Sequence, residues 1–361
     1  MPVLLGRGAL EEVGQRVRSL GGTRVLLVTD PGIVAAGHVE RALASLARAG
    51  AAVRVFDEAE QNPTTVCGDK AVAVAHEHHA DLLIGLGGGS SMDCAKGCNF
   101  ILTNGGRMQD YWGLGKATKP MLPMVAVPTT AGTGSEAQSF ALITDPETHQ
   151  KMACGDRKAL PALAILDADL TATQPPRVAA ATAIDAVAHA VETAGCTKAN
   201  DRSRRLSRDA WVLLDGAFER AMREPADADA RERMLLGAHL AGAAIENSML
   251  GAAHACANPL TATFGIMHGV AVGLMLPHVV RYNAGAISSP YAVISGDAQA
   301  LASRIEDLLD VGSVPRRLAE LGVTSSDIPA LAAGAAQQWT ASFNPRPMNE
   351  AAFRELYERA L

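Results

Sequence analysis

Strand signals stop near Thr171. Before it, short apolar runs bounded by turn residues alternate with helical patterns; after it the pattern is helical almost to the last residue. The runs at Arg24–Val28, Asp81–Leu86 and Met124–Val127, and the one inside LPALAILDADL, lack polar alternation. That marks strands buried on both faces, as in a parallel sheet with helices packed on either side. A chain of 361 residues is long enough for two cores. The sequence therefore predicts two domains: a Rossmann-like α/β domain with a mostly parallel sheet over residues 1–172, and an all-α domain over residues 173–361. The boundary falls within Asp169–Pro175, and Pro175 and Pro176 start the first helix of the second domain. That helix is expected at about 176–194, then others at about 202–224, 229–248, 251–258 and 267–282, with four or more shorter ones after them.

The helical half places polar groups where a core is expected. Asp185 and His189 stand four apart in IDAVAHAVE, so on a helix they lie one turn above each other on one face. Ala, Val and Ile surround them, and a buried carboxylate and imidazole need a partner. His254 in GAAHACANPL and His268 in IMHGVAVG have similarly small, apolar neighbours. One Asp and three His form an N/O donor set suited to Fe(II), Zn, Ni, Co or Mn. The competing reading is a capping Asp and three satisfied core histidines. It holds for each residue alone about as well as the metal reading does, and much less well for the four together.

The α/β half carries the marks of a nucleotide site. In GLGGGSSMDCAK a buried strand runs into Gly87, Gly88 and Gly89, with a helix directly after, the context in which free backbone N–H groups hold a phosphate. The spacing is not G-x-G-x-x-G, and a tight turn that lets two backbones approach is the alternative. Asp30 closes the strand of TRVLLVTDPG, where a carboxylate can accept the hydroxyls of an adenosine ribose. In PTTAGTGSE, Thr129, Thr130 and Thr133 offer hydroxyl donors to a cofactor, or cap the next helix with Glu136 in its first turn. Pro63 of NPTTV fits the first turn of a helix, and the His76, His78 and His79 cluster near that helix's end reads as surface. Residues 104–120 read as an irregular loop pinned by Tyr111 and Trp112, and FALITDPETHQKMACGD as a two-stranded excursion.

Charge and cysteine usage narrow the partners. The net charge is −6, and the densest basic stretch, DRSRRLSR, is interrupted by Asp, Ser and Leu, so nucleic acid is not expected as a partner. Six cysteines form no framework. Cys94 and Cys98 lie one turn apart without a matching pair, which favours small buried thiols. No apolar run reaches membrane-spanning length, and charge arrives early in MPVLLGRGALEEV, so a reduced cytoplasmic compartment is the expectation. A charged fraction of 19% and an open edge at PVLLGRG point to a homodimer or a higher homo-oligomer.

In this order, these segments resemble the iron-dependent (group III) alcohol dehydrogenases over nearly the whole chain, from the glycine turn and PTTAGTGSE to the closing NPRPMNEAAFRELYERAL. The resemblance implies a dehydroquinate synthase-like two-domain fold. It implies Asp185, His189, His254 and His268 as ligands of Fe(II), with Zn or another divalent ion able to take the same set. It also implies that Asn62, Gly88, Gly89, Ser90, Asp93 and Lys151 line the cofactor, Lys151 beside the nicotinamide ribose. The implied reaction moves hydride between a nicotinamide cofactor and a small alcohol or aldehyde, in a cleft between the two domains with the metal as Lewis acid; Asp30, set against an added phosphate with no Arg or Lys directly after it, favours NAD(H) over NADP(H). Where relatives often carry a second histidine beside the substrate, this chain has Asn258, which cannot exchange protons near neutral pH. Water, a ribose hydroxyl or His278 is left to move the proton. The stretch after Asn283 is also shorter and richer in Ser and Gly than is usual in that family. A dehydroquinate synthase-like lyase on the same scaffold would need more Lys and Arg around a polyanionic substrate. A non-catalytic sensor would have no reason to keep both sites.

Overall fold

The computed structural model describes residues 1–148, 150–286 and 289–361. These divide into two compact units, 1–130 with 135–173, and 131–134 with 174–361. The first is α/β and the second is built from helices.

The first unit contains β1 (Val3–Leu5), β2 (Arg24–Val28), β3 (Ala52–Phe56), β4 (Leu82–Gly87), β5 (Gly113–Leu114), β6 (Met124–Pro128), β7 (Phe140–Thr144), β8 (Lys151–Gly155) and β9 (Leu163–Leu166). Its helices are α1 (Val13–Ser19), α2 (Pro31–Ala35), α3 (His38–Arg48), α4 (Thr65–Glu77) and α5 (Gly89–Asn104). The main sheet runs β1-β9-β6-β4-β2-β3, and every pairing in it is parallel. Both faces are covered, which explains the unbroken apolar runs. Val25 and Leu27 of β2 pack with Leu10, Val13 and Leu46 on one face; Leu26 and Val28 pack with Ala71, Ala75, Met92 and Cys98 on the other. The period-2 alternation survives, but each set of side chains meets a different helix layer.

Three local readings are corrected in this unit. Residues 104–120 are not wholly irregular: Met108–Tyr111 form a 3₁₀ turn and β5 pairs parallel to β8. The excursion forms two strands as expected, β7 and β8 pairing antiparallel, and β5 from that loop extends them to a three-stranded sheet. Tyr111 is buried and donates to the Gly105 carbonyl, whereas Trp112 is 47% exposed and pins nothing. Pro63 lies before the helix, because Thr64 is the cap of α4 and accepts from the Cys67 N–H.

The second unit holds α6 (Pro176–Gly195), α7 (Asp201–Arg223), α8 (Ala228–Glu246), α9 (Ala252–Phe264), α10 (His268–Asn283), α11 (Ala298–Val311), α12 (Ile328–Ala336) and α13 (Glu350–Ala360). Helix α9 outruns its expected end by continuing through Pro259 to Phe264. A proline removes one N–H from the ladder, and packing of α12 on α9, where Gly334 meets the Pro259 ring, holds the helix together past it. The sequence reading assigned residues 131–134 to the α/β half, but they pack in this unit. Gly134 has φ +61°, and a Cβ there would lie 2.6 Å from the Gly242 Cα; a Cβ on Gly132 would lie 2.5 Å from the Thr182 Cβ. Only glycine permits that approach to α8 and α6.

Candidate metal centre

Helix α6 is buried along most of its length, and Asp185, His189 and Glu192 occupy one face of it at i, i+4 and i+7. Two further helices bring histidines to that face. Gly251 ends the chain's approach to α9, which presents His254 in its first turn. Gly269 follows His268 as the second residue of α10, and a Cβ there would fall 1.9 Å from the Ala181 carbonyl oxygen. Glycine therefore seats the start of α10 against the turn of α6 that carries Asp185. Gly273, one turn on, repeats the contact against Ile184.

Donor atoms of Asp185, His189 and His254 lie within 4.8 Å of one another, and all three residues are buried. Asp185 Oδ1 is 3.6 Å from His189 Nε2 and 3.5 Å from His254 Nε2. The His189 and His254 rings stack with centroids 4.8 Å apart, and the His268 ring lies 5.4 Å from that of His254. Asp185 Oδ1, His189 Nδ1 and His254 Nε2 are buried without a hydrogen-bond partner. Orphaned buried atoms are costly, and the two that lie 3.5 Å apart, Asp185 Oδ1 and His254 Nε2, with His189 Nε2 3.6 Å from the same oxygen, fit a divalent cation.

Electrostatics favour the same occupant. Burial alone would raise the Asp185 pKa, but His189, His254 and His268 outweigh it and hold the carboxyl ionised, well below its usual range. Burial, with His254 next to it, lowers the His189 pKa despite Asp185, so this ring is kept neutral, the form that ligates metal. Burial would also lower His254, yet Glu192 and Asp185 prevail and hold it up to about 9, so in the metal-free site this ring carries a proton that a bound cation would displace.

Glu192 is a site residue that reading the sequence for ligands alone misses. Its Oε2 lies 2.5 Å from His254 Nδ1, and its Oε1 accepts from the Ala253 N–H at 2.7 Å. The signal was the continued i, i+4, i+7 period within IDAVAHAVE. Asn258, one turn after His254 on α9, donates to Gln338 Oε1. His278 does not join the cluster. It is ten residues along α10 from His268, about 15 Å at the helical rise, and it sits near Arg281 and Glu306; burial first and then Arg281 push its pKa down to about 4. His239 is buried within α8, outside the donor cluster.

The residues expected to line the nucleotide lie in the first unit, apart from Thr133. Gly88 precedes α5, whose start has no side-chain cap, so its first N–H groups remain available to an anion. The Gly88 position faces Thr130, whose hydroxyl is buried without a partner. Ser90 Oγ accepts from the Asn62 N–H, and Asn62 Oδ1 accepts from Lys151 Nζ at 3.1 Å. Asp30 caps α2 through the Gly32 and Ile33 N–H groups and accepts from Ser91 Oγ. Asp93 is buried and accepts from Ser135 Oγ and the Leu142 N–H, with Lys96 Nζ 3.6 Å away. Those partners direct Asp93 toward fixing the Ser135 turn on α5. Thr129 is buried, its N–H bonded to the Gly87 carbonyl; Thr133 belongs to the second unit.

Two family models match the chain. One described as iron-containing alcohol dehydrogenase covers residues 2–168, and one for the C-terminal part of the Fe-containing alcohol dehydrogenase family covers residues 179–361. The 1,3-propanediol dehydrogenase of Citrobacter freundii is 36% identical, over 98% of this chain and 96% of its own. The NAD-dependent methanol dehydrogenase of Bacillus methanolicus is 32% identical, over 99% and 97%. A solved structure of a 1,3-propanediol oxidoreductase superposes with a TM-score of 0.95 at 33% identity, covering 100% of this chain and 98% of the other.

Proposed function

The chain belongs to the iron-containing alcohol dehydrogenase family, and from that premise we propose that it moves hydride between NAD(H) and a small alcohol or aldehyde at a divalent metal held by Asp185, His189, His254 and His268. It is a metal-dependent, NAD(H)-linked dehydrogenase. The observation that carries this reading is the buried cluster of Asp185, His189 and His254 on α6 and α9, whose donor atoms lie within 4.8 Å of one another. Iron is the ion the family name implies, and zinc fits the same donors.

When bound, the metal supplies Lewis acidity toward the alcohol or carbonyl oxygen. The chain's own groups do the rest. Asp185 would offset part of the ion's charge from a water-poor site, and the imidazoles, His254 having given up its second proton, would donate lone pairs. Asn258 holds its amide toward Gln338 and cannot exchange a proton near neutral pH. The alcohol proton therefore passes to water or to a cofactor hydroxyl. The N–H groups at the start of α5, with Thr130, receive the pyrophosphate, and Asp30 receives the adenosine ribose. No helix among the described residues is long and apolar enough to cross a membrane. A reduced cytoplasmic setting and a homodimer built through β1 complete the reading.

Replacing His254 or His268 with alanine is expected to remove bound metal and nearly all turnover while the helical content stays. Asp185→Asn is expected to weaken metal binding less, since one donor atom survives the loss of charge. Elemental analysis of anaerobically purified protein, alongside turnover of simple alcohols and aldehydes, tests this. Full turnover in metal-free protein would overturn the proposal.

A further inference from the structure

We infer that Glu192 is a positioning residue of the metal centre, fixing which nitrogen of His254 faces the ion. This rests on the metal reading above. Three observations carry it. Glu192 lies on the same face of α6 as Asp185 and His189 and is 5% exposed. Its two oxygens meet the first turn of α9: Oε1 accepts from the Ala253 N–H, and Oε2 lies 2.5 Å from His254 Nδ1. Gly251, the residue before α9, supplies no side-chain cap, and a Cβ there would lie 3.0 Å from Glu192 Oε1.

An ionised carboxylate can only accept, so Nδ1 must carry the proton. The lone pair then falls on Nε2, the atom left buried and unpartnered 3.5 Å from Asp185 Oδ1. One side chain thus caps α9 and turns its third residue toward the ion. A carboxylate that orients a metal-bound histidine through its other ring nitrogen is a recognised way of fixing tautomer and raising ligand basicity. A cap alone would need only the bond to Ala253.

Glu192→Gln separates the two roles. An amide of the same shape accepts with one atom only, so it cannot serve both N–H groups. The expected result is a loss of zinc affinity in metal-stripped protein of about 10- to 100-fold, with an altered visible spectrum of the cobalt-loaded enzyme. The metal-free variant is expected to melt below metal-free wild type under either role, because a buried pair is lost, so the metal readouts decide. Unchanged zinc affinity and cobalt spectrum, with a lower melting temperature, would make Glu192 a helix cap and overturn the inference. Wild type that binds neither ion would overturn the metal reading, and this inference with it. A second measurement needs no variant: nitrogen-15 histidine spectra of zinc-loaded wild type. The expected result is a proton on His254 Nδ1 and none on Nε2; a protonated Nε2 refutes the assignment.

Discussion

Asp30 combines a structural and a proposed binding role in one carboxylate. Its Oδ1 is bound by Gly32 and Ile33 N–H groups and its Oδ2 by Ser91 Oγ. Turning away to admit a 2′-phosphate would break these bonds, so NAD(H) is expected to be preferred over NADP(H), two like charges otherwise meeting at the strand end. Asp30→Gly is expected to narrow or reverse that ratio in kcat/KM by about tenfold or more, while the lost cap costs only a few tenths of a kcal/mol. The check is kcat/KM for both cofactors with one alcohol, wild type against variant. A wild type that prefers NADP(H), or an unchanged ratio, would remove Asp30 from the ribose. That Asp185, His189 and His254 would come together was readable at this scale because buried Asp and His stand out against Ala and Val. Glu192 was not singled out, since its function depends on where α9 begins relative to α6.

At the scale of elements, glycines decide how closely helices meet. A Cβ on Gly269 would sit 1.9 Å from the Ala181 oxygen and 2.7 Å from its carbon, both backbone atoms that cannot rotate aside. Gly269→Ala is therefore expected to push α10 from α6, costing about 1–3 kcal/mol of stability and carrying His268 away from Asp185. Gly296, with nothing within 4 Å of its Cβ position, is the control; Gly296→Ala is expected to change stability by less than about 0.5 kcal/mol. Thermal melts of both metal-free variants and their zinc content test this, and equal behaviour of the two would refute it. Most helix ranges in the second unit were legible because amphipathic period and caps are local. The extension of α9 through Pro259 was not, because contact with α12 sustains it.

For the whole molecule, β1 poses the open question. It is an edge strand, paired only to β9, and Val3 and Leu5 are 41% and 39% exposed. Pro2 and Gly6 bond to β9, Ala164 N–H to the Pro2 carbonyl and Gly6 N–H to the Leu166 carbonyl, so by alternation Val3 and Leu5 present their backbone groups outward. An apolar edge of this kind is expected to pair with a second copy. Light scattering is expected to give at least a dimer for wild type and a lower mass for Leu5→Pro, which removes an outward N–H; a monomeric wild type refutes it. The sequence by itself determined the fold class, the parallel sheet, the switch to helices and the buried cluster of Asp185, His189 and His254, because hydrophobic period and buried polarity are written residue by residue. Only the tertiary structure decided that residues 131–134 pack with the helical unit, that β5 joins β8, that His278 stands apart from the cluster and that Glu192 holds His254. Each of these depends on how closely two backbones approach across distant parts of the chain, and a glycine in a sequence reveals that it permits an approach without naming what approaches.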